Sequence, residues 1–232
     1  MIDIHTHILY GVDDGSKSLE ESLAMLKGME ESGVKVVFLT PHVARKRGYY
    51  DIPIFKERFN EIKKAAQSQG LKIKLCLGSE VDESDNLFED LDQAPNMNGT
   101  NVYMVDFGMR KTNIEEIVYE SLVKGIPIIV AHPERYFYVD FEMLKAIKKA
   151  GALFQVSAPH LIKLGNKDAQ KLAQKLLKED LIDFIGSDTH HQHNDLSVMK
   201  KAYKYVVKKK GKDVADKLFY MNAKALMCDY DD

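Results

Sequence analysis

IDIHTH, residues 2–7, is the stretch on which the reading of the fold turns. Side chains alternate along an extended strand, so Ile2 and Ile4 face one way while Asp3, His5 and His7 face the other. Six more short apolar runs follow: VKVVFLT (34–40), KIKLCLG (72–78), NVYMVDF (101–107), IPIIVA (126–131), ALFQVS (152–157) and LIDFIG (181–186). Helical periods separate them, a pattern that predicts parallel β-α units. Gly33, Gly70, Gly125 and Gly151 each precede a run and can end the preceding helix in the left-handed conformation. The expected fold is α/β, a distorted (β/α)7 TIM-like barrel, with residues 1–232 as a single domain. A length of 232 residues suits it, because α/β barrels commonly exceed 200 residues without dividing.

Local signals agree with this layout. Ser18 with Glu21, and Thr112 with Glu115, have capping-box spacing, and Pro53 suits the first turn of a helix running to about residue 69. Leu19, Leu23, Leu26 and Met29 form one apolar stripe, and Leu172, Leu176 and Leu177 another. The lysine-rich stretch 200–212 reads as the solvated face of a late helix whose Tyr203, Val206 and Val207 turn inward. Residues 84–101 read as a loop with a short helix.

Composition excludes several classes. With 45% hydrophobic and 29% charged residues the chain is globular. Its 33 basic and 35 acidic residues give a net charge of −2, which offers no general field for nucleic acid or anionic membrane. No apolar run approaches a membrane span, and the opening residues lack a basic leader, so the expected location is the cytoplasm. Cys76 and Cys228 form neither a disulfide framework nor a metal knuckle. Nor do they fit a cysteine-dependent phosphatase: Asp82, not arginine, stands six positions after Cys76, and too little chain follows Cys228.

The chemistry is carried by polar residues at strand ends. An HxH pair alone is a weak signal, since two core histidines satisfy it equally well. Here His42 follows the second run, Glu80 the third, Asp106 ends the fourth, His132 closes the fifth, and Asp188 with His190 follows the seventh. In a parallel barrel all strand carboxyl ends open on one face, where sites are assembled from several strands. Imidazole mixed with carboxylate and no thiolate suits Mn, Fe, Co or Zn.

The ordered motifs IDIHTH, DDG (13–15), TPH ending at His42, GSE ending at Glu80, AHPER (131–135) and SDTH (187–190) resemble the polymerase and histidinol phosphatase (PHP) superfamily. Within it they are similar to the manganese-dependent bacterial protein-tyrosine phosphatases of capsule and exopolysaccharide loci. The resemblance implies three divalent ions. The first would be held by His5, His7, Glu80 and Asp188, with Glu80 bridging to a second, which takes Asp106 and His132. The third would lie between Asp14, His42 and His190. Relatives usually have glutamate where Asp106 stands. Three divalent ions against the carboxylates of Glu80, Asp106, Asp188 and Asp14 leave about two positive charges, matched to a phosphoryl dianion. Arg135 would bind that phosphate through its planar fork and serve catalysis there, and His191 is a further candidate phosphate contact. Relatives carry a second phosphate-binding arginine after the final histidine; residues 191–195, HQHND, have none.

The implied reaction is hydrolysis of phosphotyrosine on a bacterial tyrosine kinase by direct attack of metal-bound hydroxide, with no covalent intermediate. A phenolate leaving group, of pKa about 10, lessens the need for a strong general acid. Three alternatives stand beside it. A histidinol-phosphate type phosphatase would prefer a small substrate. A TatD-like nuclease also begins with HxH but lacks the Asp-x-His ending, and the net charge gives it no purchase on DNA. A catalytically silent phosphoprotein-binding module is suggested by the departures at Asp106 and after His190. Asp13 is read as shaping the DDG turn, and His160 as a packed loop histidine. His193 is read either as a phosphate or proton contact or as a solvent-facing residue. The segment ARKRGYY (44–50) either presents basic and aromatic groups to a phosphopeptide or is an ordinary mobile loop.

Overall fold

The structure is a computed structural model and describes residues 1–227; the expectation for Cys228 lies outside the described residues. Each predicted apolar run contains a strand, shorter than the run itself. These are β1 (Ile2–Asp3), β2 (Val36–Leu39), β4 (Lys74–Leu77), β6 (Tyr103–Asp106), β7 (Ile128–Ala131), β8 (Leu153–Ser157) and β9 (Phe184–Gly186). Two more, β3 (His42–Val43) and β5 (Glu80–Asp82), prolong β2 and β4 after a break at residues 40–41 and 78–79.

All pairings are parallel. One sheet has the order β1-β2-β4 and the other β3-β5-β6-β7-β8-β9. The breaks are stitched by Gly78 N donating to Leu39 O (2.9 Å) and Glu80 N donating to Pro41 O (3.0 Å). The circle closes where residues beyond β1 meet residues beyond β9: Thr6 bridges Thr189, Asp188 N donates to His5 O and His7 N to Thr189 O, both at 2.9 Å. Seven staves thus surround one core, the distorted barrel that the sequence predicts.

Alternation divides the strand side chains between two cores. Ile2, Ile4, Val36, Phe38, Cys76, Met104, Ile129 and Phe184 fill the barrel, closed below by Ala223, Leu226 and Met227. Val37, Leu39, Val105, Val130, Val156 and Ile185 face outward onto the helices. In the first stave the expected alternation fails at Asp3. Strand pairing ends there, and the fully buried carboxylate accepts from His5 N (3.3 Å) and Ser187 N (2.9 Å) instead of joining the histidines.

The covering helices are α1 (Leu19–Glu31), α2 (Pro53–Ser68), α3 (Leu87–Gln93), α4 (Ile114–Val123), α5 (Phe141–Lys149), α6 (Ala158–Leu161), α7 (Lys167–Lys178) and α8 (Val198–Lys210). Ser18 caps α1 by accepting from Glu21 N (3.2 Å), while Glu21 reaches back to Lys17 N (2.9 Å). The box expected at Thr112 is displaced by one residue: Asn113 caps α4 through Glu116 N, and Thr112 Oγ1 instead donates to Glu83. Both residue types can cap, and the contact with Glu83 decides between them. On α8, Val198, Met199, Ala202 and Val206 are buried and the lysines lie outside.

Candidate metal centre

The strand ends converge at the carboxyl face of the barrel. His5 Nε2 lies 3.2 Å from His7 Nε2, 3.2 Å from Glu80 Oε2 and 3.5 Å from Asp188 Oδ1. His7 Nε2 is 3.3 and 3.4 Å from the same two oxygens. The remaining ring nitrogens are taken up: His5 Nδ1 pairs with Gln155 Oε1 and His7 Nδ1 with Asp13 Oδ2, each at 2.8 Å. An acceptor at Nδ1 fixes the proton there and leaves the Nε2 lone pair facing the cluster.

Glu80 reaches a second cluster through its other oxygen, with Oε1 at 2.8 Å from His132 Nε2. Asp106 Oδ1 stands 4.0 Å from His132 Nδ1 and also accepts from Gly108 N (2.7 Å) and Tyr136 OH (3.2 Å). The short side chain is thus held partly by its own turn. In the third cluster Asp14 Oδ1 is 3.6 Å from His42 Nε2 and 3.7 Å from His190 Nε2, and the His7 and His190 rings stack at 4.0 Å. The ligand atoms of His5, His7 and Glu80, of Glu80, Asp106 and His132, and of His7, Asp14, His42 and His190 form three groups, each spanning no more than 4.8 Å. His132 (φ 32°) and Asp188 (φ 55°) adopt left-handed backbone, which costs about 1–3 kcal/mol per residue and concentrates at functional sites.

These residues fit cations. Asp14 Oδ1, His42 Nδ1, Glu80 Oε2, Asp82 Oδ1 and His132 Nδ1 are buried atoms without a hydrogen-bond partner, and such atoms are costly unless a cation or water engages them. Burial opposes the charge on Glu80, yet His5 and His42 hold its carboxyl well below the usual range. Asp188 is likewise held low against burial, chiefly by Arg135 and His5. The imidazoles of His5 and His7 are raised despite burial, by Glu80 and Asp188 for the first and by Asp13, Asp188 and Glu80 for the second. Burial and the neighbouring His7 depress His190 to about 4. The carboxylates therefore demand positive charge, and protons and metal ions compete to supply it.

Arg135 follows β7, and its guanidinium pairs with Asp188 and donates to Ser157 Oγ (3.2 Å). Asp14, Arg135, Asp188, His190 and His191 line a cavity of about 620 Å³. His191 lies at this cavity, but the nearest acid to it is Glu21, 3.6 Å away. His193 stacks on His191 at 5.1 Å. His160 Nδ1 pairs with Glu134 Oε1 (2.8 Å), apart from the clusters. Sequence reasoning missed four members of the neighbourhood. Asp82 was legible as the same-face neighbour of Glu80 two positions on, and Gln155 as a polar side chain in the middle of an apolar run. Asp13, read only as a turn residue, does hold that turn through Gly15 N (2.9 Å), but it also orients His7. Arg47, from the segment left open as a loop, pairs with Asp14 (3.0 Å).

A closed ring of parallel strands whose carboxyl ends gather histidines and acids into overlapping clusters defines a β/α-barrel protein with a candidate multinuclear metal centre. A family model described as capsular polysaccharide synthesis, CpsB/CapC, matches residues 1–228. The chain belongs to that family. It is 32% identical over 241 residues to the tyrosine-protein phosphatase CpsB of Streptococcus agalactiae, covering 98% of both chains. It is 31% identical to the putative tyrosine-protein phosphatase CapC of Staphylococcus aureus, over 88% of this chain and 82% of that one. A solved structure from work on YwqE of Bacillus subtilis and CpsB of Streptococcus pneumoniae, described as metal-dependent tyrosine phosphatases, superposes with a TM-score of 0.87 at 23% identity, covering 97% of this chain and 92% of the other. That likeness confirms the fold.

Proposed function

We propose that the protein is a metal-dependent protein-tyrosine phosphatase whose substrate is a phosphotyrosyl protein, in particular the tail of a bacterial tyrosine kinase that regulates capsular or exopolysaccharide synthesis. The observation that carries this reading is the sharing of Glu80 between two clusters, with Glu80 Oε2 and His132 Nδ1 buried and without a hydrogen-bond partner. The activities printed for the relatives support it. One domain would carry the whole site, and the cytoplasm is the proposed location. No helix among the described residues is long and apolar enough to cross a membrane.

His5, His7, Glu80 and Asp188 would hold one ion, Glu80, Asp106 and His132 a second, and Asp14, His42 and His190 a third, with Mn the proposed metal and Fe, Co or Zn able to bind the same donors. Bound divalent ions supply Lewis acidity, activating water and offsetting phosphoryl charge. The chain's own groups do the rest. Gln155 and Asp13 keep His5 and His7 facing inward. Arg135, at the edge of the cavity, offers paired N–H donors to phosphoryl oxygens while its bond to Ser157 holds it in place. His190, with its pKa near 4, is neutral at working pH and so available as a ligand rather than as an acid. His191, at the same cavity, is a second candidate phosphate contact.

The test is turnover of a phosphotyrosyl peptide with Mn by the purified protein and by His7→Ala. The expected loss in the variant is at least about a hundredfold in kcat/KM, the scale of a catalytic group removed. Equal low activity in both proteins would sink the enzyme reading. Faster turnover of histidinol phosphate would move it to the small-molecule class.

A further inference from the structure

Segment 44–50 is a built element. Ala44 N donates to Tyr49 O (2.8 Å), Tyr49 N to Ala44 O (3.1 Å), and Gly48 N to Arg45 O (3.1 Å). Gly48 sits at φ +78°, a conformation that side chains resist. Arg45 donates to buried Asp90 (2.5 Å) and lies over the Tyr50 ring at 3.8 Å; Tyr50 also donates to Asp90 (3.1 Å). Tied in this way to α3, the loop delivers Arg47 to the third cluster.

Arg47 meets two acids there. Its Nη2 donates to Asp14 Oδ2 at 3.0 Å, and its Nη1 is ion-paired with Asp82 Oδ2 at 3.7 Å. Each carboxylate turns its other oxygen to His42: Asp14 Oδ1 lies 3.6 Å from Nε2 and Asp82 Oδ1 lies 3.5 Å from Nδ1. His42 is only 6% exposed, and its Nδ1 and both Oδ1 atoms have no hydrogen-bond partner. Two acids from different staves thus share one division of labour, outer oxygen to the guanidinium and inner oxygen to the imidazole.

We infer that Arg47 is a positioning residue of the metal centre and Asp82 an acidic member of it: the fork aligns Asp14 and Asp82 on either side of His42, so that ion affinity at the third cluster depends on loop 44–50. A planar guanidinium spans two carboxylates, and a lysine ammonium, a point charge, does not. Groups that orient ligands commonly govern metal affinity by about 10–100-fold. The inference rests on reading these clusters as metal-binding.

The experiment is equilibrium dialysis of the chelator-stripped protein against Mn²⁺, with bound metal counted for the original chain, Arg47→Ala, Arg47→Lys and Asp82→Asn, beside melting curves without metal. The expected result is that one ion binds about tenfold or more weakly in all three variants while the other ions and the melting temperature stay unchanged. Activity should return when Mn²⁺ is raised, with the activation constant shifted by the same factor. Should Arg47→Ala melt early, Arg47→Lys and Asp82→Asn carry the comparison. Variants that bind Mn²⁺ as the original chain does overturn the inference and leave the metal reading intact. An original chain that binds no divalent ion overturns both.

Discussion

Cys76 lies inside the barrel, and burial pushes its thiol up to about 11. At pH 8 only about one molecule in a thousand would carry the thiolate, the form that attacks electrophiles. Alkylation of Cys76 by iodoacetamide, read by peptide mass spectrometry, should therefore be negligible from pH 7 to pH 9 and begin only as pH rises towards 11. Cys76→Ala should keep its turnover per folded molecule while losing about 1 kcal/mol of stability in urea titrations, the scale of a lost core atom. Asp106 is the residue where family pattern and geometry diverge. Its oxygen is shared with Gly108 N and Tyr136 OH and stops 4.0 Å short of His132 Nδ1. Asp106→Glu adds one methylene of reach and is expected to strengthen Mn²⁺ binding at the second cluster several-fold in the same dialysis assay. Weaker binding would mean that the turn contact matters more than reach. Tyr136→Phe strips a buried hydroxyl from Phe107 N, Ala131 O and Asp106, and should destabilise by about 1–3 kcal/mol, read in the same urea titrations.

Strands and helices were the most legible level, because most apolar runs are buried on both sides, β4 with its exposed Lys74 being the exception, and glycines end the helices between them. Gly33, Gly70, Gly125 and Gly151 all take positive φ. The breaks within the second and third staves were not legible, since apolar pattern continues through Thr40 and up to Gly78. There the cause is close tertiary approach: a Cβ on Gly78 would stand 2.9 Å from Met97 Sδ and 3.2 Å from Thr40 Cγ2. Apart from Asp14, which lies in the turn before α1 and was reached through the family resemblance, the ligand set was readable because its members stand at or just after a strand end, a position that topology alone brings together. Asp82 and Arg47 were not found, because an acid beyond a ligand and a basic loop have many uses when distances are unknown. Close approach also governs β9, where a Cβ on Gly186 would lie 2.6 Å from His5 Cβ and 2.9 Å from Gln155 Nε2. Gly186→Ala is therefore expected to push His5 off its partners, costing about 1–3 kcal/mol in denaturant titrations together with bound metal.

For the molecule as a whole, the clusters join residues that end β6 or follow β1, β2, β4, β7 and β9, so bound ions would brace almost the full circumference. A ligand at a hundred times its dissociation constant adds about 2.7 kcal/mol to the folded state, and in a protein of this size each kcal/mol raises the melting temperature by about 2–4 °C. Saturating Mn²⁺ should raise the melting temperature by several degrees over a chelator-treated sample, and a flat response would argue against structural bracing. The join between Thr6 and Thr189 has a consequence for synthesis. Its two edges, only a few Å apart in the finished protein, are separated by most of the chain. A nascent polypeptide still lacking residues 186–190 owns His5 and His7 but cannot seat them. Asp188 and His190 arrive last, so the first and third clusters are complete only once that stave has emerged.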